Sequence, residues 1–173
     1  MFDHPHMALP KGDGKDFGIF FPFGGHGCHI AVVQVDVELG SVEILDYVAV
    51  HDNGTIVNPR SLEGQIRGGT VHGIGTALME AYVYDDDGFL LSNNFHSYLM
   101  PTAMDTPPIR VGHVETPSPF TPHGIKGGRE AGRLMAAAAI SSAIDDALSE
   151  FEVRVDTIPA TPERIVNWIK QPT

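Results

Sequence analysis

From Cys28 the chain alternates: "CHIAVVQVDV" sets Val33, Val35 and Val37 against Gln34 and Asp36, the period of two expected of a half-buried strand. "ELGS" supplies turn residues and "VEILDYVAVHD" a second strand, so residues 28–52 read as a β-hairpin. The second strand is almost continuously apolar and is expected to be covered on both faces. The period then lengthens. Leu62, Ile66, Ile74 and Leu78 recur at helical spacing through "SLEGQIRGGTVHGIGTALMEAYVY", and Pro59 suits the start of that helix. Gly64, Gly68 and Gly75 fall on one face of it, although glycine costs a helix interior ~1 kcal/mol relative to alanine. That face is expected to be closely approached.

Further along, "DDDG" reads as a turn, "NNFHSYLMPTAMDTPP" as irregular chain and "IRVGHVE" as a short strand. Ile140, Ile144, Ala147 and Leu148 mark a helix reaching Glu150. "FEVRVDTIP" is expected to form a last strand and "TPERIVNWIK" a last helix, with Thr161 as N-cap and Pro162 at the first helical position. Residues 1–27 are rich in Pro, Gly, His and Phe without a sustained period and read as an extended apolar arm. No internal repeat or linker is evident, so residues 1–173 are expected to form one α+β domain.

Composition narrows the function. A chain of 173 residues, 42% of them hydrophobic, has room for one core. It contains no apolar run approaching the ~20 residues of a membrane span and no secretory leader, which makes the cytoplasm the expected location. A net charge of −11 with only 11 Lys and Arg argues against nucleic-acid or anionic-membrane partners. Cys28 is the single cysteine. The chain can neither close an internal disulfide nor supply the thiolates of an iron–sulfur cluster, so any such cluster must sit in a partner.

Few motifs carry chemistry. His26, Cys28 and His29 in "GGHGCHI", with His4 and His6 to complete a ligand set, match no standard zinc spacing, and a hydrogen-bonded loop cluster is the better reading. Neither a P-loop, a GxGxxG nor a GxSxG elbow occurs. "GIKGGREAG" at 124–132 differs from these. It places Glu130 between a glycine-rich loop and a helix-favouring alanine run, where a carboxylate can be held rigidly and approached closely. A helix-terminal acid stabilised by the macrodipole is the alternative reading of the same residue.

The series "DNGTIVNPRSLEGQIRGGTVHGIGTALMEAYVYDDDG", "SYLMPTAMDTPP", "GIKGGREAG" and "IPATPERIVNWI", with "FPFGGHGCHIAVVQVD" before it, resembles the carboxy-terminal part of a known subunit. That subunit is the molybdenum-binding one of the xanthine oxidase family of molybdenum hydroxylases, and large subunits of the carbon monoxide and aldehyde dehydrogenase kind look most similar. The resemblance implies that Glu130 is the general base, taking a proton from a molybdenum-bound hydroxide whose oxygen attacks an electrophilic carbon of an N-heterocycle or aldehyde. It further implies that Gln65 hydrogen-bonds the pterin cofactor, of the cytosine dinucleotide type usual in bacteria. Gly64, Gly25, His26, Gly27, Cys28, Lys126 and Gly127 are implied to border the cofactor, and no residue to ligate metal. Electrons are implied to leave through iron–sulfur clusters to FAD in partner subunits, beside a larger molybdopterin-binding chain.

Two departures qualify this. Arg129 stands where the family loop has glycine, offers a partner to an anionic or carbonyl substrate, and argues against carbon monoxide as substrate. The family's subunit is also several times longer, so the chain is expected to be a small subunit of a split enzyme or a fragment. Its arm and glycine-faced helix would then pack on a partner chain, and the isolated chain would be inactive. A non-catalytic assembly module and a free-standing small-molecule binding protein remain the alternatives.

Overall fold

The computed structural model describes residues 24–128 and 130–170. Their elements run β1 (His26–Val35), β2 (Val42–Asp52), α1 (Pro59–Leu78), β3 (Ile109–Val114), α2 (Ala131–Ala147) and α3 (Pro162–Lys170), with 3-10 turns at Pro122–Gly124 and Ser149–Phe151. The expected α+β class is the one observed. Most of the proposed arm lies outside the described residues; its last two positions, His26 and Gly27, open β1 instead.

The hairpin follows from its turn. Asp36 Oδ1 accepts the N–H groups of Glu38 and Leu39, each at 2.9 Å, and Gly40 takes φ +70°, a conformation that a side chain disfavours. The sheet has the order β1-β2-β3, antiparallel between β1 and β2 and parallel between β2 and β3. Tyr47, Ala49 and His51 of β2 point into the core and are fully buried, whereas Val48 and Val50 on the opposite face are half-buried. The expectation of two covered faces therefore fails on one side. Central position in the sheet, rather than double burial, accounts for the apolar run.

Helices α1 and α2 pack against each other, and α2 also packs on β1. Ile66 and Ile74 of α1, Ile140 and Ile144 of α2, then Leu148 and Ile165 fill the space between them and the sheet. A Cβ on Gly73 would lie 2.5 Å from that of Ala136, and one on Gly132 would lie 2.6 Å from the Ile66 carbonyl oxygen. The helices thus meet backbone to backbone through Gly69, Gly73 and Gly132. This is not the expected glycine face: Gly64 and Gly68 look onto open space, and Gly75 is met by Glu80 and Pro101.

Caps bear out the helix starts. Asn58 Oδ1 accepts the Ser61 N–H at 3.0 Å ahead of α1, and Thr161 Oγ1 faces the Arg164 N–H at 3.4 Å ahead of α3. The last expected strand does not form. Val153 is buried, but the Val155 N–H goes to the Asp145 carboxylate and the Ala160 N–H to the Ala77 carbonyl, so helices α1 and α2 satisfy this segment and leave no ladder for it to join. Among the described residues no helix is long and apolar enough to cross a membrane.

Candidate functional site

The glutamate loop is held by a segment about seventy residues upstream. The Lys126 N–H donates to the Asn53 carbonyl at 2.9 Å, and the N–H groups of Thr55 and Ser118 donate to the Gly124 carbonyl at 3.1 and 3.0 Å. Asn53 Nδ2 donates to the Gly127 carbonyl at 2.8 Å. A side chain on Gly25 would strike that same Gly127 oxygen at 2.4 Å, which places the start of β1 directly behind the loop.

Beneath the backbone bonds sits a polar knot. Lys126 Nζ donates to Asp52 Oδ2 at 2.8 Å and to Thr116 Oγ1 at 2.7 Å, while Asp52 Oδ1 accepts the N–H groups of Gly54 and Thr116 at 2.9 and 3.1 Å. Thr116 Oγ1 also donates to Asp52. Burial alone would raise the Asp52 carboxyl, but the bonds from Lys126, Thr116 and the backbone together outweigh it and hold the group well below the usual carboxylate range. Lys126 is therefore anchored by its charge, with its aliphatic stem on a hollow of about 280 Å³ shared with Asn53, Asn58 and Gln65.

Glu130 stands where the loop becomes α2. Its backbone is already helical (φ −82°, ψ −19°), its carbonyl accepts the N–H groups of Arg133 and Leu134, and its side chain makes no capping hydrogen bond. The carboxylate is exposed and lines a cavity of about 420 Å³ together with Gly64, Gln65, Gly68, Gly69, His72 and Arg133. Two predicted residues sixty-five positions apart, Gln65 and Glu130, thus converge. Neither side chain has a hydrogen-bond or ion-pair partner among the described residues, and nothing comes within 4 Å of where Cβ atoms would stand on Gly64 and Gly68. An unpartnered amide beside helix backbone with open space above it fits the edge of a flat, polar cofactor. Gln65 would hold such a group, with Gly64 and Gly68 admitting it.

The remaining predicted residues lie on β1 or outside this description. His26 and Cys28 are exposed on one face of the strand, while His29 turns inward on the other, as a period of two requires. Inside, His29 bonds the Tyr47 hydroxyl and His51 Nε2, each at 2.7 Å. Burial first, then the neighbouring His51, pushes the His29 ring down to about 4; burial and then His113 lower that of His51. Gly27 is fixed by this cluster, since a Cβ there would lie 2.7 Å from His51 Nδ1. Among the described residues no three His, Cys, Asp or Glu side chains converge as metal ligands. Arg129, His4 and His6 lie outside the described residues.

Sequence reading missed Gly69, His72 and Arg133 of the cavity, and Asp52, Asn53 and Thr116 behind the loop. Spacing held a usable signal for part of this: Gly68 and His72 stand three and seven residues after Gln65, hence on its helix face, and Arg133 is one turn after Glu130. No local pattern could have joined Asp52 to Lys126.

A family model described as a molybdopterin cofactor-binding domain matches residues 2–107, which include Gln65 but not Glu130. The large subunit of nicotine 6-hydroxylase from Paenarthrobacter nicotinovorans is 42% identical over 149 residues, 86% of this chain and 18% of the relative. Quinoline 2-oxidoreductase from Pseudomonas putida 86 superposes with a TM-score of 0.83 at 45% identity, over 85% of this chain and 19% of that one. Carbon monoxide dehydrogenase from Oligotropha carboxidovorans gives 0.82 at 28% identity, over 85% and 18%. The chain thus spans less than a fifth of the length of each. Since the family model covers more than half of the 173 residues, this chain belongs to the family of molybdopterin cofactor-binding domains.

Proposed function

We propose that this chain is the part of a molybdenum hydroxylase that presents the general base to the substrate. It works with a larger molybdopterin-binding chain and with iron–sulfur and FAD subunits that carry electrons away. The observation that carries this reading is the convergence of Glu130 and Gln65, both unpartnered, on one cavity floored by bare helix backbone at Gly64 and Gly68.

When bound, a molybdenum-pterin group, of the cytosine dinucleotide form expected above, supplies the two-electron redox chemistry by which water-derived oxygen replaces hydrogen on carbon. Glu130 Oε would serve beside that group as the proton acceptor, a role in which a positioned base contributes ~10²–10⁴ in rate. Exposure of the carboxylate and its lack of a side-chain partner among the described residues leave it available for this transfer. Gln65 offers both an amide N–H and a carbonyl, the pairing that a pterin edge presents in reverse. Lys126 contributes by position: its bonds to Asp52 and Thr116 fix the loop that delivers Glu130. Gly25, His26, Gly27, Cys28 and Gly127 are proposed to border the cofactor along the start of β1 and the loop behind Glu130. Arg129, beside the base, is proposed to face the substrate.

An N-heterocycle is the favoured substrate class, because two similar proteins are named for nicotine and quinoline; an aldehyde carbon is the second. The chain alone is expected to be inactive. Glu130→Gln in the assembled complex tests the reading. Near-complete loss of turnover with molybdenum content unchanged is the expected result, and unaltered turnover would reduce the chain to an assembly module.

A further inference from the structure

The chain carries twice as many carboxylates as cations, 22 Asp and Glu against 11 Lys and Arg. Even so, among the described residues only some of the cations take a carboxylate partner. Arg67 pairs with Glu63, Arg110 with Asp46 and Lys126 with Asp52. Arg133 does not pair, although Glu130 is three residues before it, a spacing at which helical ion pairs readily form. Its side chain makes no ion pair or hydrogen bond among the described residues, and neither does the imidazole of His72. Unpaired cations also occur elsewhere, as at Arg60. What sets Arg133 apart is its company: it faces the same cavity as Glu130, Gln65 and His72.

We propose that Arg133 and His72 form an anion-holding wall of the Glu130 cavity, and that the ligand lodged there carries an oxyanion, either a carboxylate or a phosphate. The inference rests on the functional reading above and extends it to ligand class. A guanidinium presents parallel N–H donors in a fixed fork that matches two oxygens of such a group, and an imidazole offers an N–H in either protonation state. Glu130 alone would repel an anion entering the cavity. A cation one turn further along the same helix offsets that repulsion and gives the ligand's anionic end a partner other than the base. The oxyanion has two possible bearers, the substrate itself and the nucleotide part of the pterin cofactor.

The test uses the assembled complex, in cofactor-loaded and cofactor-depleted forms, with three probes titrated calorimetrically: benzoate, its neutral analogue benzamide, and inorganic pyrophosphate. Arg133→Gln and Arg133→Lys are compared with the parent, and His72→Gln serves as a second, smaller perturbation. If the substrate bears the anion, benzoate binds the loaded complex more tightly than benzamide does, and Arg133→Gln weakens benzoate alone by about tenfold or more, with Arg133→Lys intermediate. If the cofactor bears it, pyrophosphate binds only the depleted complex, Arg133→Gln weakens it to a similar extent, and molybdenum content of the variant falls. Either pattern supports the proposal. Arg133-independent binding of both anions overturns it, and so does benzoate binding no better than benzamide in a complex whose depleted form also fails to bind pyrophosphate. Glu130→Gln keeps the two readings separable: it leaves anion binding intact or tightens it whether or not Glu130 proves to be the base.

Discussion

Two polar clusters lie within a few residues of each other on the loop that ends at Glu130, and they handle polarity in opposite ways. Around Asp52, hydrogen bonds from Lys126, Thr116 and two backbone N–H groups satisfy the carboxylate from every side, and the ion pair is nearly buried, each side chain keeping 12% of its exposure. Around Glu130, the side chains of Gln65, His72 and Arg133 face a common space without bonding one another. The first cluster spends its hydrogen-bonding capacity on the fold, whereas among the described residues the second leaves it unspent. Closeness to a glycine-rich loop does not distinguish them. What distinguishes them is whether each donor finds an acceptor inside the chain.

The sharpest way to break this contrast is to exchange the roles. Glu130→Gln should lower turnover of the assembled complex by ~10²–10⁴ while leaving its unfolding free energy in urea within about 0.5 kcal/mol of the parent, because the side chain makes no contact that is lost among the described residues. Lys126→Met should do the reverse. It strips Asp52 of its strongest donor and should destabilise by about 2 kcal/mol in the same unfolding measurement. Turnover should then fall only as far as the loop loosens.

A pH titration separates a third polar cluster from these two. The folded state keeps His29 neutral down to about 4, whereas the unfolded chain takes up that proton near the ordinary imidazole value of 6.5. Between those values the unfolded state binds more protons, so stability should fall as pH is lowered through the window, with His51 adding in the same direction. His29→Gln should flatten the slope. Below the window the Asp52 carboxylate, held low in the fold, becomes the next group whose protonation destabilises it. The smallest expected effect is the most discriminating for the cavity. Gly68→Ala faces open space and should stabilise α1 by about 1 kcal/mol while reducing molybdenum content of the complex, since the methyl group enters the proposed cofactor space.

Elements with a strong period were legible in the sequence. The hairpin, α1, β3, α2 and α3 all appear where Val33 and Val35, Leu62 and Ile66, Ile109 and Val111, Ile140 and Ile144, and Thr161 with Pro162 announced them. The strand expected at "FEVRVDTIP" failed because alternation describes which side chains are buried, not where backbone N–H groups go; Asp145 and Ala77 claimed them. Glycine reading was incomplete. Helical spacing grouped Gly64, Gly68 and Gly75, yet only the third dimension showed that Gly69 and Gly73 serve the neighbouring helix while Gly64 and Gly68 leave a void. Glu130 stood out from its setting in "GIKGGREAG", and Gln65 only through the family resemblance. His72 and Arg133 had no motif to mark them, because periodicity records which side chains are buried in the core and not which of them line a cavity.

The bonds that carry the loop have one more consequence. The amides of Thr55 and Lys126 close a short two-sided bridge between segments 53–55 and 124–126, continuous with the inner end of β2. Their exchange with solvent deuterium should therefore require opening of the sheet's central strand, and they should rank with Tyr47 and Ala49 in protection instead of with the surface turns. A loop that exchanged as slowly as the core would not act as a lid, and access to Glu130 would then be controlled from the other side of the cavity.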